Sequence, residues 1–317
     1  MSDGITEALS LYGLENAKII LLRHNENRTY RIDYDKKSYC LRLKNPISGF
    51  DLSVLGGEQE ALLRSELDFI KMLGEQTDIP VQSPVKTLSG DLVARLSDGT
   101  LASLLSWMDG ISFDKDKRTE QMLVSAGKIL AKLRSTEEAM SNPDTFTRLT
   151  YDQKLVERLA VRAEQGSEYL PAETIKSIVS TLKAMAGVMD EMDGNETAFI
   201  AHSDPGLGNM IWANGRVGLI DWSLCGYAHS YMDVGGLMGA TSDREEQRLL
   251  LKGWESIRGK ANRRFLDAFF SLTVLLFVCC QYTRAKEWTD WFPVALDRWQ
   301  ATVFEPFSSG YAIPCIL

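Results

Sequence analysis

The chain has 317 residues, of which 44% are hydrophobic and 25% charged, and 35 Lys and Arg stand against 43 Asp and Glu for a net charge of −8. This composition excludes a disordered chain, and the acidic balance lacks the basic footprint of a nucleic-acid-binding protein. At roughly 150 residues per domain the length implies about two domains.

The first hundred residues read as strand-rich. Short runs of β-branched, aromatic and Leu residues at 19–23, 28–33 and 38–43 are separated by the polar clusters His24-Asn25-Glu26-Asn27 and Tyr34-Asp35-Lys36-Lys37, which suit tight antiparallel connections. A helix is expected over 57–73, where Leu63, Leu67, Ile70 and Leu73 recur every three or four residues. Strands follow at 85–88 and 91–96 around the turn Ser89-Gly90, and then an apolar segment at 101–108. Beyond it the period changes from 2 to 3.6. Helices are expected over 119–134, 174–192, 245–253, 265–283 and near 288–304. Their apolar stripes are the faces of a core. The boundary between a β-rich part, 1–105, and a helical part, 106–317, falls near residue 105, and there is no internal repeat or low-complexity tract.

The five Cys are odd in number, with Cys279 and Cys280 adjacent, which fits reduced thiols in the cytoplasm. His24, His202 and His229 are too scattered for a zinc site. No basic segment followed by an apolar one opens the chain. The longest apolar run, 272–280 broken by Thr273, falls short of the ~20 residues of a bilayer span, and Cys315 lies one position too late for prenylation. A soluble cytoplasmic protein is expected, with neither membrane nor nucleic acid as partner.

One interruption of the helical half carries chemistry. Asn214-Gly215 between the apolar runs 209–212 and 217–220 is a strong hairpin signal, because a type I′ turn needs positive φ at both central residues. The implied register pairs Ala213 with Arg216 and Trp212 with Val217, and brings Asn209 within one residue of Asp221. Asp204 lies just upstream in His202-Ser203-Asp204-Pro205-Gly206-Leu207-Gly208-Asn209. Carboxylate and amide oxygens are hard ligands suited to Mg²⁺. Phosphoryl transfer needs one carboxylate to take the proton of the attacking hydroxyl and other groups to hold metal on the phosphates. His202 reads as a buried residue that holds this loop.

These motifs resemble those of the aminoglycoside phosphotransferase and choline kinase-like small-molecule kinases, and more closely the bacterial phosphotransferase enzyme family that includes homoserine-kinase-type enzymes. The resemblance runs from about Asn25 to Gly239. It rests on His-x-Asp-x4-Asn, with Ser203 where Gly is typical, on Ile220-Asp221-Trp222, and on Asp233 in Ser230-Tyr231-Met232-Asp233-Val234. Supporting segments are Arg64-Ser65-Glu66-Leu67 and Thr145-Phe146-Thr147-Arg148 followed by Tyr151-Asp152. The resemblance implies an α+β, two-lobed protein-kinase-like fold with ATP and Mg²⁺ as cofactors, bound between a β-rich N-terminal lobe and a mainly helical C-terminal lobe. It implies transfer of the γ-phosphoryl group to a hydroxyl of a small molecule. In that frame Asp204 is the catalytic base, Asn209 and Asp221 hold Mg²⁺, and Asp233 braces the catalytic loop. Arg42, with Lys44 competing for the role, grips phosphate and is held by Glu66. The linker Ser106-Trp107-Met108 meets adenine.

The departures are also specific. No glycine-rich loop precedes the second strand, and Asn25 with its neighbours Glu26 and Asn27 stands in its place. Gly253 and Gly259-Lys260 do not make a Walker A loop. No Ala-Pro-Glu segment follows Asp221, which counts against a protein Ser/Thr kinase. The joint presence of Asp204, Asn209 and Asp221 counts against a catalytically silent nucleotide-binding module. Aminoglycoside, amino alcohol, amino acid and sugar stay open as acceptors, and the oligomeric state is open too. Trp288, Trp291 and Trp299, beside Glu287, Asp290 and Asp297, are read either as an acceptor wall or as packing of the last helix.

Overall fold

Residues 3–137, 146–193 and 199–317 are described here, from a computed structural model. Thr145 of the supporting segment lies outside them. A helix not anticipated from the sequence, α1 (Asp3–Leu11), precedes an antiparallel meander of β1 (Lys18–His24), β2 (Arg28–Tyr34) and β3 (Lys37–Leu43). Asp35 and Lys36, both at positive φ, make the two-residue turn between β2 and β3. The sheet is completed by β4 (Pro84–Val85), β5 (Val93–Arg95) and β6 (Leu101–Ser106) in the order β1-β2-β3-β6-β4, with β5 also on β6. The strand expected over 85–88 stops at Val85. The Thr87 N–H turns to the Asp91 carbonyl at 2.7 Å, so the chain reverses there and leaves Leu88 exposed. Ala8, Leu9 and Tyr12 of the first helical segment pack on Tyr30, Ile32 and Leu41 on one face of the sheet.

The other face is covered by α2 (Gln59–Gln76), capped by the Glu58 side chain on the amides of Glu60 and Ala61. Leu63 and Leu67 pack on Cys40 and Leu105 of the sheet. One turn further on, Phe69, Ile70 and Leu73 belong to the core of the helical region, and the Phe69 ring meets Trp222 at 5.7 Å. A single helix thereby joins both parts of the protein.

The helical region contains β7 (Ile111–Ser112), α3 (Glu120–Glu137), β8 (Leu149–Thr150), α4 (Gln153–Glu164), α5 (Ala172–Asp193), β9 (Phe199–Ala201), β10 (Met210–Ala213), β11 (Arg216–Leu219) and β12 (Gly226–Ala228). It ends with α6 (Tyr231–Met238), α7 (Arg244–Arg258), α8 (Arg263–Gln281), α9 (Phe292–Trp299) and α10 (Glu305–Ser308). The long helix expected near 288–304 begins only at Phe292, passes through a π turn at Gln300–Phe304 and reaches Pro306. The segment Arg263–Lys286 is long and apolar enough to cross a membrane. Yet 72% of its most apolar window is buried inside the protein, as befits a core helix.

Helices α3 and α7 cross so closely that each presents a glycine to the other's backbone. A Cβ on Gly253 would collide with the Val124 carbonyl oxygen, and one on Gly127 with that of Leu250. Gly253→Ala should therefore cost about 1–3 kcal/mol, because the two helices must part. Gly187→Ala, in α5 with nothing near its Cβ position, should gain about 0.5–1 kcal/mol. Urea melts of the two variants check the contrast, and equal stabilities would contradict the close crossing.

Candidate active site

The turn Asn214-Gly215, with φ of 52° and 75°, closes the β10–β11 hairpin in the register Ala213 to Arg216, Trp212 to Val217 and Met210 to Leu219. At its open end the Ile220 N–H donates to the Asn209 carbonyl at 3.0 Å. Asn209 and Asp221 are brought side by side by this bond.

The loop before the hairpin is fixed from beneath. His202 is fully buried; its Nε2 donates to the Ile220 carbonyl at 3.0 Å, and its ring lies 4.6 Å from that of Trp222. The Asp233 carboxylate, buried in the first turn of α6, accepts the N–H of His202 at 3.1 Å and of Ser203 at 2.8 Å. Burial pushes the Asp233 carboxyl above its ordinary value, against the pull of His202 and these two amides. Ser203 and Asp221 both hold a left-handed conformation, φ 62° and 63°, which is uncommon for non-glycine residues and concentrates at functional sites. The Asn209 Nδ2 donates to the Asp204 carbonyl at 3.0 Å and to Asp204 Oδ2 at 2.8 Å. Asn209 Oδ1 keeps no partner among the described residues.

Charged groups from the sheet reach the same point. Arg42 and Glu66, 5% and 1% exposed, form an ion pair at 2.6 Å, and the other guanidinium nitrogen of Arg42 lies 3.8 Å from Asp221. Lys44 pairs instead with Glu26, whose second oxygen accepts the Ser223 hydroxyl at 2.7 Å. The two cations that compete in the sequence thus have separate carboxylates. Burial raises the Glu26 carboxyl, but Lys44 and Ser223 outweigh it and hold the group below its ordinary value. Arg23 pairs with Asp221 directly. Sequence reasoning missed Arg23 because a register shift between Leu21 and Arg23 re-aims it, and a bulge of that kind leaves no clear mark in the residue pattern. Glu26 reads in the sequence only as a turn residue.

Three cavities adjoin this cluster: one of about 400 Å³ is lined by Lys44, Asp51, Leu55 and Glu66, and two others share Arg23, Thr29 and Asp221. The first of these two, of about 300 Å³, has Asn25, Glu26, Asp204 and Asp221 at one end and Phe50 and Phe277 at the other. The second, of about 200 Å³, is lined by Leu22, Cys40, Trp107, Met108 and Ile220. The Ser106 N–H donates to the Ser83 carbonyl at 2.8 Å, and the Ser106 carbonyl accepts the Gln82 amide at 2.9 Å, so Ser106 has no backbone group to spare. The Trp107 N–H is likewise taken by Ser38 at 3.1 Å. The Trp107 carbonyl and the Met108 amide have no backbone partner among the described residues. The Trp107 ring is half-buried under the Arg31 guanidinium, 4.7 Å from its centroid. The Asn25 backbone is spent on Asn27 in its own turn and on Ile47 beyond β3, so Asn25 brings only its side chain to the cavity.

The profile of the Phosphotransferase enzyme family matches residues 18–269. The chain belongs to this family. As a family member it is an ATP-dependent small-molecule kinase. No curated protein matches the sequence. Among solved structures, a microcompartment-associated aminopropanol kinase is similar at 20% identity, covering 98% of each chain with a TM-score of 0.78. An amicoumacin kinase in complex with AMP-PNP, Ca²⁺ and Ami is similar at 16% identity over 98% of this chain and 93% of the other, TM-score 0.73. A spectinomycin phosphotransferase in complex with ADP and spectinomycin is similar at 17% identity over 96% and 94%, TM-score 0.57. At these identities the likeness shows the protein-kinase-like fold.

The donors present in this phosphotransferase fit the Mg²⁺ that its family implies. Asn209 Oδ1 and the Asp221 carboxylate are hard oxygens on adjoining chain segments, and Mg²⁺ commonly completes its shell with phosphate and water. Among the described residues there is no cluster of three or more His, Cys, Asp or Glu that could cage a metal. The acceptor-wall reading of the tryptophans is corrected. Trp288 stacks on Phe277 at 6.0 Å and Trp299 meets it edge-on at 5.7 Å, so the rings back Phe277 and do not line the cavity. Asp290 and Asp297 are exposed outside it.

Arg42→Met leaves the Glu66 carboxylate buried without its partner and should cost about 3–5 kcal/mol. The double variant Arg42→Met/Glu66→Leu should recover most of that loss in urea denaturation. Additive losses would mean that the pair is not the unit that stabilises α2 against the sheet.

Proposed function

We propose that this phosphotransferase moves the γ-phosphoryl group of ATP to the hydroxyl of a small molecule, with Mg²⁺ held by Asn209 and Asp221. Asp204 and Asp221 on one cavity, joined through Asn209 beside the buried Arg42–Glu66 pair, carry this reading. Asp204 accepts the proton of the acceptor hydroxyl as its oxygen attacks phosphorus, and its hydrogen bond from Asn209 fixes the carboxylate for that step. When bound, Mg²⁺ neutralises charge on the phosphate oxygens. Arg42, held by Glu66, and Arg23 are placed to grip those oxygens, and a guanidinium does so through two donors at once. The Glu26 and Asn27 amides, without backbone partners among the described residues, add donors where a glycine-rich loop is lacking.

Adenine fits the smaller cavity against Trp107 and Met108, with the Trp107 carbonyl and Met108 amide as its hydrogen-bond partners. On this reading nucleotide lies between a lobe of residues 1–105 and one of 106–317. The amicoumacin kinase and spectinomycin phosphotransferase structures hold AMP-PNP or ADP together with a small molecule, which supports a nucleotide and a small acceptor here. The absence of an Ala-Pro-Glu segment after Asp221 favours a small acceptor over a protein. Five free cysteines, four of them buried, are consistent with work in the cytoplasm.

Asp204→Ala should lower phosphoryl transfer by about 10²–10⁴, the usual contribution of a positioned general base, with ATP affinity unmoved. Steady-state kinetics on an acceptor found by ADP release, with nucleotide titration alongside, make the check. Wild-type turnover in the variant would remove Asp204 from the role.

A further inference from the structure

Residues 46–57 leave the sheet and cross to the helical region, where they are pinned at four points. The Asp51 N–H donates to the Cys280 carbonyl at 3.0 Å, and Thr283 Oγ1 donates to the Gly49 carbonyl at 3.0 Å. Arg162 forms an ion pair with Asp51 at 2.7 Å, and Arg158 Nε donates to the Val54 carbonyl at 2.8 Å. This strap carries Phe50, Leu52 and Leu55 into the cavity of about 300 Å³, which Leu276 and Phe277 of α8 also line. The end of the cavity away from the phosphate groups is therefore an apolar chamber with a fixed cover.

The charges of this cavity lie at its other end, and each is already engaged. Asp204 accepts from Asn209, Asp221 faces Arg23 and Arg42, and Glu26 faces Lys44. At the apolar end the Tyr151 hydroxyl is spent on the Leu224 carbonyl at 2.6 Å and the Thr273 hydroxyl on the Phe269 carbonyl at 3.1 Å. The Gln281 amide remains, its oxygen 3.3 Å from Arg284. Among the described residues no free carboxylate lines the chamber. Glu287, Asp290 and Asp297, which contribute to the net charge of −8, stand exposed outside it. A polycation would have to bury several ammonium groups here without a counter-charge, and an unpaired buried charge is heavily penalised. This cavity of about 300 Å³ is at the small end of ligand pockets, which span roughly 300–1,000 Å³, and a neighbouring one of about 400 Å³ shares Phe50, Leu52 and Leu55 with it.

We infer that the acceptor is a compact alcohol with an apolar body and at most one positive charge, and that polycationic aminoglycosides are not substrates. The inference rests on the phosphotransferase reading above and narrows its acceptor. Leu276 and the strap set the size of the acceptor, and the lack of a carboxylate beside Gln281 sets its charge.

The test measures ADP release from Mg·ATP with 1-amino-2-propanol and 2-amino-1-phenylethanol in one set, and kanamycin A and neomycin in the other. At least one member of the first set should be phosphorylated with kcat/KM 100-fold or more above either polycation. Gln281→Glu, at a half-buried position, should narrow that ratio at least tenfold through the acceptor KM, with the ATP KM unchanged. Leu276→Gln tests the apolar wall without adding charge, and should weaken the KM for the phenyl-bearing alcohol more than the KM for the propanol. Transfer to a polycation as efficient as to the small alcohols overturns the inference and leaves the phosphotransferase reading standing. Transfer to neither set also overturns it. The phosphotransferase reading fails separately, and only if the wild-type protein does not bind Mg·ATP in a calorimetric titration.

Discussion

The hydrogen bond from the Ile220 N–H to the Asn209 carbonyl is the constraint on which the site depends. It closes a hairpin whose two ends carry the amide and the carboxylate proposed for metal, and the Asp204 carboxylate is tied to the first of these through Asn209 Nδ2. Side chains alternate faces along a strand, so a slip of one residue would turn Asp221 away from Asn209. Asn214 and Gly215 prevent that slip by accepting the positive φ of a tight turn. His202 and Asp233 then hold the loop from the buried side, one through the Ile220 carbonyl and the other through two amides.

Around this point the protein arranges charges that would be costly alone. Glu66, Arg42 and Asp221 form a chain from α2 to the hairpin, and Lys44, Glu26 and Ser223 form a second from the sheet to the same loop. Arg148 supports both. Its buried guanidinium donates to the carbonyls of Leu62 in α2 and of Ser223 and Cys225 beyond the hairpin. The helix that orients Arg42 is thus fixed to the segment that bears Asp221. Apolar contacts act in the same direction, since Phe69 of α2 packs on Trp222 while Leu67 packs under the sheet. Such links couple the sheet to the helical part.

The elements that were legible in the sequence are those with a local signature. The meander showed through its polar turns, α2 and α5 through apolar steps of three and four, and the hairpin register through Asn214-Gly215. What escaped depends on distant partners. Helix α6 is buried on all sides and contains Gly235 and Gly236, so it has no amphipathic stripe to read. Arg23 enters the site through a bulge, and the carboxylates that Arg42 and Lys44 each meet are set by the fold in space. The tryptophans near the C-terminus could be a ligand wall or packing by sequence alone, and in the structure Trp288 packs behind Phe277 of α8, which lines the cavity. The strap over residues 46–57 has no periodicity, and its role comes from its anchors on α4 and α8.

The central claim is that this hairpin end is where nucleotide and metal meet the protein. Calorimetric titration of Mg·ATP into the wild-type protein, Asp221→Ala and Asn209→Ala tests it most directly. A carboxylate offers the metal a full charge and an amide only a dipole, so Asp221→Ala should abolish Mg²⁺-dependent binding while Asn209→Ala weakens it. Unchanged Mg·ATP affinity in Asp221→Ala would contradict the account.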